Sequence, residues 1–259
     1  MTLAIRNVSL HLKDRLVLND ISAAWQGGLV GLIGPNGAGK SSLMRVIAGL
    51  WKPAAGEVLL EGMALAGLNG QARARRLSFL PPERDMTWPL PVRDVVALGR
   101  HPHRGSFAPW TDEDQKAVEQ ALSAVGARDL ADRPISDISN GERARVLLAR
   151  ALAVNAPILL VDEAVAALDP AHQLQVMEVL RAEAGKGRLV LAVLHDLGLA
   201  RRYCDELVML HQGRIHGQGA PDEVLTDQNL ADVYGITVLM GTQEGGPYVV
   251  PLSRIKDEA

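Results

Sequence analysis

The segment GPNGAGKSS constrains the fold of this 259-residue chain more than any other, because it directly follows a short apolar run, GLVGLI. From Gly34 to Ser41 it fits the phosphate-binding loop pattern Gly-x-x-x-x-Gly-Lys-Ser in full. A strand, a glycine-rich turn and a helix in this order point backbone N–H groups and the positive end of the helix dipole at one anion. A glycine-rich turn without a ligand is the structural alternative, but the lysine and the serine favour a nucleoside triphosphate site.

The side chains of the loop have distinct predicted roles. Gly37 and Gly39 allow the backbone to turn around the phosphates. Lys40 would reach the terminal phosphates, and the hydroxyl of Ser41 would ligate Mg²⁺. The predicted nucleotide contacts of the loop are Gly34, Pro35, Asn36, Gly37, Ala38, Gly39, Lys40, Ser41 and Ser42.

Two further apolar runs end on residues that suit phosphate chemistry. Asp162 follows the run ILLV and is expected to hold Mg²⁺ beside the loop, while Glu163 is placed to orient or deprotonate an attacking water. His195 ends the run RLVLAVLH and is expected to contact the terminal phosphate. Two alternatives stay open: the acidic pair caps the next helix, and the histidine is a satisfied structural residue.

The order of elements predicts an α/β fold. The chain is 47% hydrophobic and 22% charged, which suffices for one substantial core. GLVGLIG, APILLVD and RLVLAVLH are typical of parallel strands buried on both faces, whereas the N-terminal LAIRNVSLHLKDRLVLNDIS alternates like strands with one exposed face. A helix-rich region at about 84–155 is predicted to be a subdomain inserted into the sheet. Ligands of such sheets bind at the carboxyl ends of the strands.

The composition limits the classes of partner and the compartment that can be expected for this chain. A net charge of -3 gives no basic excess, so nucleic acid is not expected as a partner. The single cysteine, Cys204, excludes an internal disulfide and lies in the helical-looking LGLARRYCDELVML, where a buried apolar role is expected. No apolar run is long enough to cross a bilayer, and no signal peptide precedes the first strand. We therefore expect a cytosolic protein, or one held to a membrane by a partner.

The segment ISNGE combines a helix start with an unexplained glycine. Ser139 and Glu142 have the spacing of a capping box, in which each side chain bonds the backbone N–H of the other. Gly141 lies between them, although glycine in a first helical turn costs stability. Glycine helps where another group approaches the backbone closely, so the segment itself leaves open which group that is.

These motifs, in this order, resemble the ATP-binding subunit of an ABC transporter. The phosphate loop, the signature ISNGE, the acidic strand ILLVDE, the dimer loop AALD ending at Asp169 and the switch histidine His195 all have counterparts. The resemblance implies one ABC ATP-binding domain over 1–259, a P-loop NTPase with a parallel-sheet core, an N-terminal antiparallel β subdomain, the helical subdomain and a C-terminal extension at about 216–259. It also implies a head-to-tail dimer that binds ATP and Mg²⁺. There, Ser139, Gly141 and Glu142 of one copy would contact the nucleotide of the other.

Two finer segments resemble importers of iron–siderophore complexes, heme and cobalamin. These are VRDVVALGRHPHRG and the C-terminal run from GAPDEVL to YVVPL. The resemblance implies ATP hydrolysis that powers import through a separate transmembrane permease, at the cytoplasmic face of the membrane, with a substrate-binding protein delivering the chelate. His101 and His103 are then expected in a loop near the permease rather than in a metal site. The alternatives are a soluble ABC-type ATPase and a nucleotide-binding regulatory subunit with little turnover.

Several positions depart from the family pattern. Asn140 replaces the first glycine of the signature, and Ala164 and Val165 replace the usual Pro-Thr after the acidic pair. Near Leu12, where an aromatic side chain normally stacks on adenine, the sequence offers only leucine and His11. The predicted consequence is weaker selection of the base.

The segment LPPE lacks the glutamine that the family pattern places at Pro82. Pro82 has neither a polar side chain nor a backbone N–H. Glu83 is adjacent, and its carboxylate is a suitable ligand for Mg²⁺. We therefore hypothesise that Glu83 partly replaces the glutamine.

Overall fold

The computed structural model describes residues 2–82, 89–104, 108–163 and 168–255. Glu83, Ala164 and Val165 lie outside these ranges, so the hypothesis about Glu83 stays a prediction. The strands are β1 Leu3–Leu12, β2 Arg15–Trp25, β3 Gly28–Ile33, β4 Ala55–Leu60, β5 Met63–Ala64, β6 Leu77–Leu80, β7 Ile158–Val161, β8 Leu189–Val193, β9 Glu206–His211, β10 Arg214–Gly219, β11 Ile236–Gln243 and β12 Gly246–Arg254. The α-helices are α1 Lys40–Ile47, α2 Gly70–Arg76, α3 Val92–Ala97, α4 Asp112–Ala124, α5 Asn140–Ala153, α6 Pro170–Gly185, α7 Leu197–Tyr203, α8 Pro221–Val224 and α9 Asp227–Tyr234.

The central sheet has the strand order β10-β9-β3-β8-β7-β6. Strands β9, β3, β8, β7 and β6 run parallel, and β10 pairs antiparallel with β9. Every residue of β7 and β8 is buried, as expected for parallel strands with both faces covered. The predicted α/β class is therefore confirmed, and the carboxyl ends of β3, β7 and β8 share one edge.

The N-terminal strands form a separate antiparallel sheet with the order β2-β1-β4-β5. Its buried side chains, such as Leu3 and Ile5, share one core with Leu43 and Met44 of α1 and with Leu32 of β3. Helix α1 is thus packed between the two sheets. This packing fixes the direction of the helix that follows the phosphate loop.

The described residues between β6 and β7 contain helices α3, α4 and α5, with 3-10 turns at Leu98–His103, Arg128–Leu130 and Ile135–Asp137. A buried ion pair ties these helices together: Nε of Arg100 donates to Oδ1 of Asp114 at 2.8 Å, and its guanidinium also bonds the carbonyl of Ala153. The segment GRHPH lies within the 3-10 turn Leu98–His103, so it is helical rather than the expected loop. The division into a helical subdomain at about 84–155 stays a prediction.

The helical interpretation of LGLARRYCDELVML was wrong for its second half. Helix α7 ends at Tyr203, and Glu206–His211 form β9, which pairs in parallel with β3. The apolar spacing fits a helix locally, but the open edge of β3 takes these residues as a strand. Cys204, between the two elements, is buried as predicted, and burial raises the pKa of its thiol to about 12.

After β10 the chain forms α8, α9 and a hairpin of β11 and β12. The hairpin packs on α7, where the guanidinium of Arg201 bonds the carbonyls of Gly241 and Tyr248 at 3.0 and 2.9 Å. In the described part of the chain, no helix combines the length and the apolar character of a membrane span. Strand β10 belongs to the central sheet and continues to Gly219, so the predicted boundary at about 216 falls within a strand. The C-terminal extension at about 216–259 stays a prediction.

Candidate nucleotide-binding site

The phosphate loop joins β3 to α1, and its backbone depends on glycine. Gly34, Gly37 and Gly39 have φ angles of 143°, 81° and 104°, which residues with a side chain rarely adopt. A side chain at Gly34 would collide with the carbonyl of Leu210, whereas the space around Gly37 is open. No side-chain hydrogen bond caps the start of α1 at Gly39, so the first N–H groups of this helix have no capping side chain as acceptor. The loop therefore has the backbone of an anion site.

Lys40 is buried, with its ammonium held inside the loop. Nζ donates to the carbonyls of Gly34 and Pro35 at 2.7 and 3.0 Å. Burial lowers the pKa of Lys40, and the charges of Glu163 and Asp162 oppose this shift. The cation is thus already in the loop and can exchange a carbonyl for a phosphate oxygen.

Ser41 and Asp162 are brought together as the sequence predicted. The hydroxyl of Ser41 donates to Oδ1 of Asp162 at 3.1 Å, and Asp162 is fully buried at the end of β7. Among the described residues, no group of three or more His, Cys, Asp or Glu side chains could hold a metal ion. A hydroxyl and one carboxylate nevertheless fit Mg²⁺, which is commonly bound by few protein ligands together with substrate phosphates.

Glu163 and His195 form a second pair at the same sheet edge. Nε2 of His195 lies 3.0 Å from Oε1 of Glu163, with both side chains partly exposed. The acidic pair does not cap α6, because the cap of that helix is Asp169. Asp196, directly after His195, caps α7 through a 2.8 Å bond from the N–H of Leu199. The alternative of a capping role for Asp162 and Glu163 is therefore excluded.

A cavity of about 320 Å³ lies over the phosphate loop. Glu163, Lys40, Leu12 and Arg15 are among the residues that line it. A second cavity of about 390 Å³ shares Arg15 with the first and extends to His211. Sequence analysis placed Leu12 here but missed Arg15. A cation directly after the Lys13–Asp14 turn was the available signal.

The signature segment starts α5 with the predicted capping box. The N–H of Ser139 donates to Glu142 at 2.8 Å, and the N–H of Glu142 donates to the hydroxyl of Ser139 at 3.2 Å. Hydrogen bonds that the backbone and the side chain of Ser139 make to its carboxylate lower the pKa of Glu142. The described residues that line the cavity over the phosphate loop do not include Ser139, Gly141 or Glu142. The structure therefore does not bring the signature to this chain's own phosphate loop.

His101 and His103 lie in different surroundings, and the expectation that they hold no metal stays a prediction. His101 is exposed, whereas Nε2 of His103 lies 2.6 Å from the carbonyl of Val154, just beyond the end of α5. Because a carbonyl only accepts hydrogen bonds, Nε2 of His103 is the donor, and this bond fixes the orientation of the ring. The segment therefore has a structural role at the end of the signature helix.

Comparison with protein families matches residues 18–166, more than half of the chain, to the family described as ABC transporter. The chain belongs to the ABC transporter family. The matched range contains the phosphate loop, the signature and the acidic strand, so the resemblance drawn from these motifs is confirmed.

Several curated relatives of this ABC protein cover most of the chain. The cobalamin import ATP-binding protein BtuD of Halobacterium salinarum is 43% identical over 256 residues, 97% of this chain and 64% of that protein. The hemin import ATP-binding protein HmuV of Pseudomonas entomophila is 43% identical over 251 residues, 93% of this chain and 97% of that protein. The ferric enterobactin transport ATP-binding protein FepC of Escherichia coli is 38% identical over 231 residues, 88% of this chain and 85% of that protein. The chain thus spans less than two thirds of the first relative.

Solved structures share the fold. An ABC transporter in an inward-facing conformation matches with a TM-score of 0.84 and 23% identity, over 97% of this chain and 98% of that chain. A dimeric bacterial ABC transporter cassette matches with a TM-score of 0.76 and 26% identity, over 85% of this chain and 98% of that chain. The predicted fold, a P-loop ABC ATPase with an antiparallel N-terminal sheet, is confirmed.

Proposed function

We propose that this ABC protein hydrolyses ATP to power the import of a metal chelate through a separate membrane permease. The observation that carries the proposal is the pair Glu163 and His195 beside the phosphate-loop cavity. A site that only bound nucleotide would need the loop and its lysine. The additional carboxylate at the cavity supports turnover over a regulatory role with little hydrolysis.

ATP binding depends on the loop. The N–H groups at the start of α1 and the ammonium of Lys40 would surround the terminal phosphates, and Lys40 would exchange its bonds to Gly34 and Pro35 for bonds to phosphate oxygens. Ser41 and Asp162 would hold Mg²⁺, which supplies positive charge beside the phosphates when bound. The remaining predicted contacts come from the loop segment 34–42.

Hydrolysis depends on Glu163. Its carboxylate would orient the attacking water and accept its proton while the oxygen attacks the terminal phosphorus and ADP leaves. His195 would hold this carboxylate through the 3.0 Å contact and place its imidazole toward the terminal phosphate. Both roles need only small side-chain movements at one sheet edge.

The second copy of the chain would complete the site. Ser139, Gly141 and Glu142 would reach the nucleotide of a partner arranged head to tail, because they lie away from the chain's own loop cavity. The dimeric cassette with the same fold supports this arrangement. The signature helix would then present its N-terminal N–H groups to the partner's terminal phosphate.

The cargo is proposed from the relatives. Their names refer to cobalamin, hemin and ferric enterobactin, which are all metal ions held in organic ligands. We infer a chelate of this kind, delivered by a substrate-binding protein, with the ATPase bound peripherally to the permease at the cytoplasmic face. The whole chain, 1–259, would act as one ATP-binding domain, and its helical part at about 84–155 would face the permease.

The test is reconstitution with a candidate permease. The complex in lipid vesicles should take up ferric siderophore, heme or cobalamin only with ATP and Mg²⁺, and the Glu163→Gln complex should bind ATP without uptake. ATP hydrolysis without association with a permease would instead support a soluble ABC-type ATPase. Uptake that continues with Glu163→Gln would contradict the proposal.

A further inference from the structure

His172, in the first turn of α6, lies between the end of the dimer loop and the signature segment. Nδ1 of its ring is 2.6 Å from Oδ2 of Asp169. On the other side, a methyl group at Gly141 would lie 3.2 Å from three atoms of the same ring. The ring therefore contacts both segments within one chain, although residues 141 and 172 are far apart in the sequence.

Asp169 uses its two oxygens for different purposes. Oδ1 accepts the N–H of His172 at 3.1 Å, which is the ordinary cap of a helix start. Oδ2 accepts from the imidazole, and these two bonds from His172 lower the pKa of Asp169. Because an ionised carboxylate only accepts hydrogen bonds, Nδ1 of His172 is the donor. The cap is complete without the ring, so the second bond serves to orient the imidazole.

The contact also gives a reason for Gly141 within the single chain. Gly141 has helical backbone angles, so conformational freedom does not explain its presence. Its Cα faces the imidazole, and a methyl group there would require the ring to shift by a few tenths of an ångström. The close approach that the sequence indicated at this position is therefore made, within one chain, by His172.

We propose that His172 is a positioning residue that locks the start of the signature helix to Asp169, the last residue of the dimer loop. The proposal rests on the proposed function, in which the signature segment of one chain faces the nucleotide of the partner. A ring fixed by Asp169 and packed on Gly141 makes the two segments approach the partner as one unit. His172 is not among the described residues that line the chain's own phosphate-loop cavity. Its loss should therefore affect dimer formation and not the first binding of ATP.

The experiment uses the full chain with Glu163→Gln, which traps the ATP-bound dimer. ATP affinity is measured by calorimetry under monomeric conditions, and dimer affinity with Mg²⁺ and ATP by sedimentation. His172→Ala should leave ATP affinity unchanged and weaken the dimer about tenfold, as expected for one lost charge-assisted hydrogen bond. His172→Asn, whose amide can donate to Asp169, should restore most of the dimer affinity. Glu178→Ala, at an exposed position of the same helix, is the matched control.

A second substitution tests the contact with Gly141. Gly141→Ala should weaken the dimer about as much as His172→Ala, and the double variant should be no weaker than either single variant, because residues in contact are not additive. If Gly141 were needed only for contact with the partner's phosphate, the fold-losses of dimer affinity caused by the two substitutions would multiply in the double variant. That result would overturn the proposal.

The outcomes separate this proposal from the proposed function. If Glu163→Gln dimerises with ATP and His172→Ala dimerises equally well, the role of His172 is wrong and the proposed function stands. If Glu163→Gln stays monomeric with ATP, the head-to-tail dimer is wrong and the role of His172 falls with it. A loss of ATP affinity in His172→Ala would show a purely structural role in α6, which also contradicts the proposal.

Discussion

The imidazole Nε2 of His195 lies 3.0 Å from Oε1 of Glu163, across the carboxyl ends of the neighbouring strands β7 and β8. Glu163 has a φ angle of 56°, a conformation that costs energy for a residue with a side chain. A residue keeps such a backbone conformation only where contacts with the surrounding structure hold it there. The contact with His195 and the strained backbone together place the carboxylate at the phosphate-loop cavity.

We expect His195→Ala to lower kcat for ATP hydrolysis about tenfold or more with little change in KM, because a misplaced catalytic group costs rate rather than binding. Phosphate release measured over a range of ATP concentrations separates the two parameters. His101→Ala removes an exposed histidine from the same chain and should have no effect. A rise in KM without a fall in kcat would place His195 in binding instead.

Lys40→Ala should reduce ATP affinity about tenfold to a hundredfold, since the loop loses a buried cation that bonds the terminal phosphates. Calorimetry of the purified chain with ATP measures the effect directly. Lys52→Ala, an exposed lysine shortly after α1, is the control. Equal affinities of the parent and Lys40→Ala would show that the loop does not hold phosphate.

Base selection should be weak in this protein. Leu12 and Arg15 line the cavity where the family has an aromatic residue, so a stacking energy of about 1 kcal/mol is expected to be missing. GTP should therefore compete with ATP in a binding assay, and Leu12→Tyr should strengthen ATP binding by a few-fold. A strong preference of the parent for ATP would mean that another residue, such as Arg15, recognises adenine.

Asp114→Ala should destabilise the chain by about 3 kcal/mol, because the buried guanidinium of Arg100 loses its one buried carboxylate partner among the described residues. Glu113→Ala is the matched control: its carboxylate is 86% exposed and 3.9 Å from Arg100, so a change within about 0.5 kcal/mol is expected. Urea unfolding of both variants provides the comparison. If Asp114→Ala lowered the free energy of unfolding as little as the control does, the pair of Arg100 and Asp114 would contribute little to stability.

The same pair has a defined pH dependence. Burial alone would raise the pKa of Asp114, but hydrogen bonds from Arg100 and Thr111 outweigh it and lower the pKa. A carboxyl group whose pKa is lower in the folded chain stabilises the fold fully above its unfolded pKa, and this contribution is lost as the pH falls through the folded value. The stability difference between the parent and Asp114→Ala should therefore shrink below about pH 4.

The sequence was sufficient for features whose pattern is local. The glycine spacing of the phosphate loop, the runs that became β3, β7 and β8, and the capping box at Ser139 all depend on neighbouring residues. In each case a short motif meets one local physical requirement. An example is the φ angle of 104° at Gly39, which favours glycine. The proximity of Glu163 and His195 could also be expected, because the ends of parallel strands meet at one edge.

Features that depend on distant contacts were missed. Strand β9 was interpreted as helix because its apolar spacing suits both, and only pairing with β3 decides between them. The bond of Arg100 to Asp114 and the approach of His172 to Gly141 join separate helices. Tertiary packing, rather than local propensity, determines these features.

The most direct test of the account is ATP hydrolysis by the purified chain with and without the carboxylate of Glu163. Parent, Glu163→Gln and the exposed control Glu178→Gln are compared for phosphate release and for ATP affinity, in Mg²⁺ and in chelator. We predict Mg²⁺-dependent turnover for the parent and the control, and for Glu163→Gln a loss of about a hundredfold or more with ATP affinity retained. Turnover by Glu163→Gln at the rate of the parent would contradict the account.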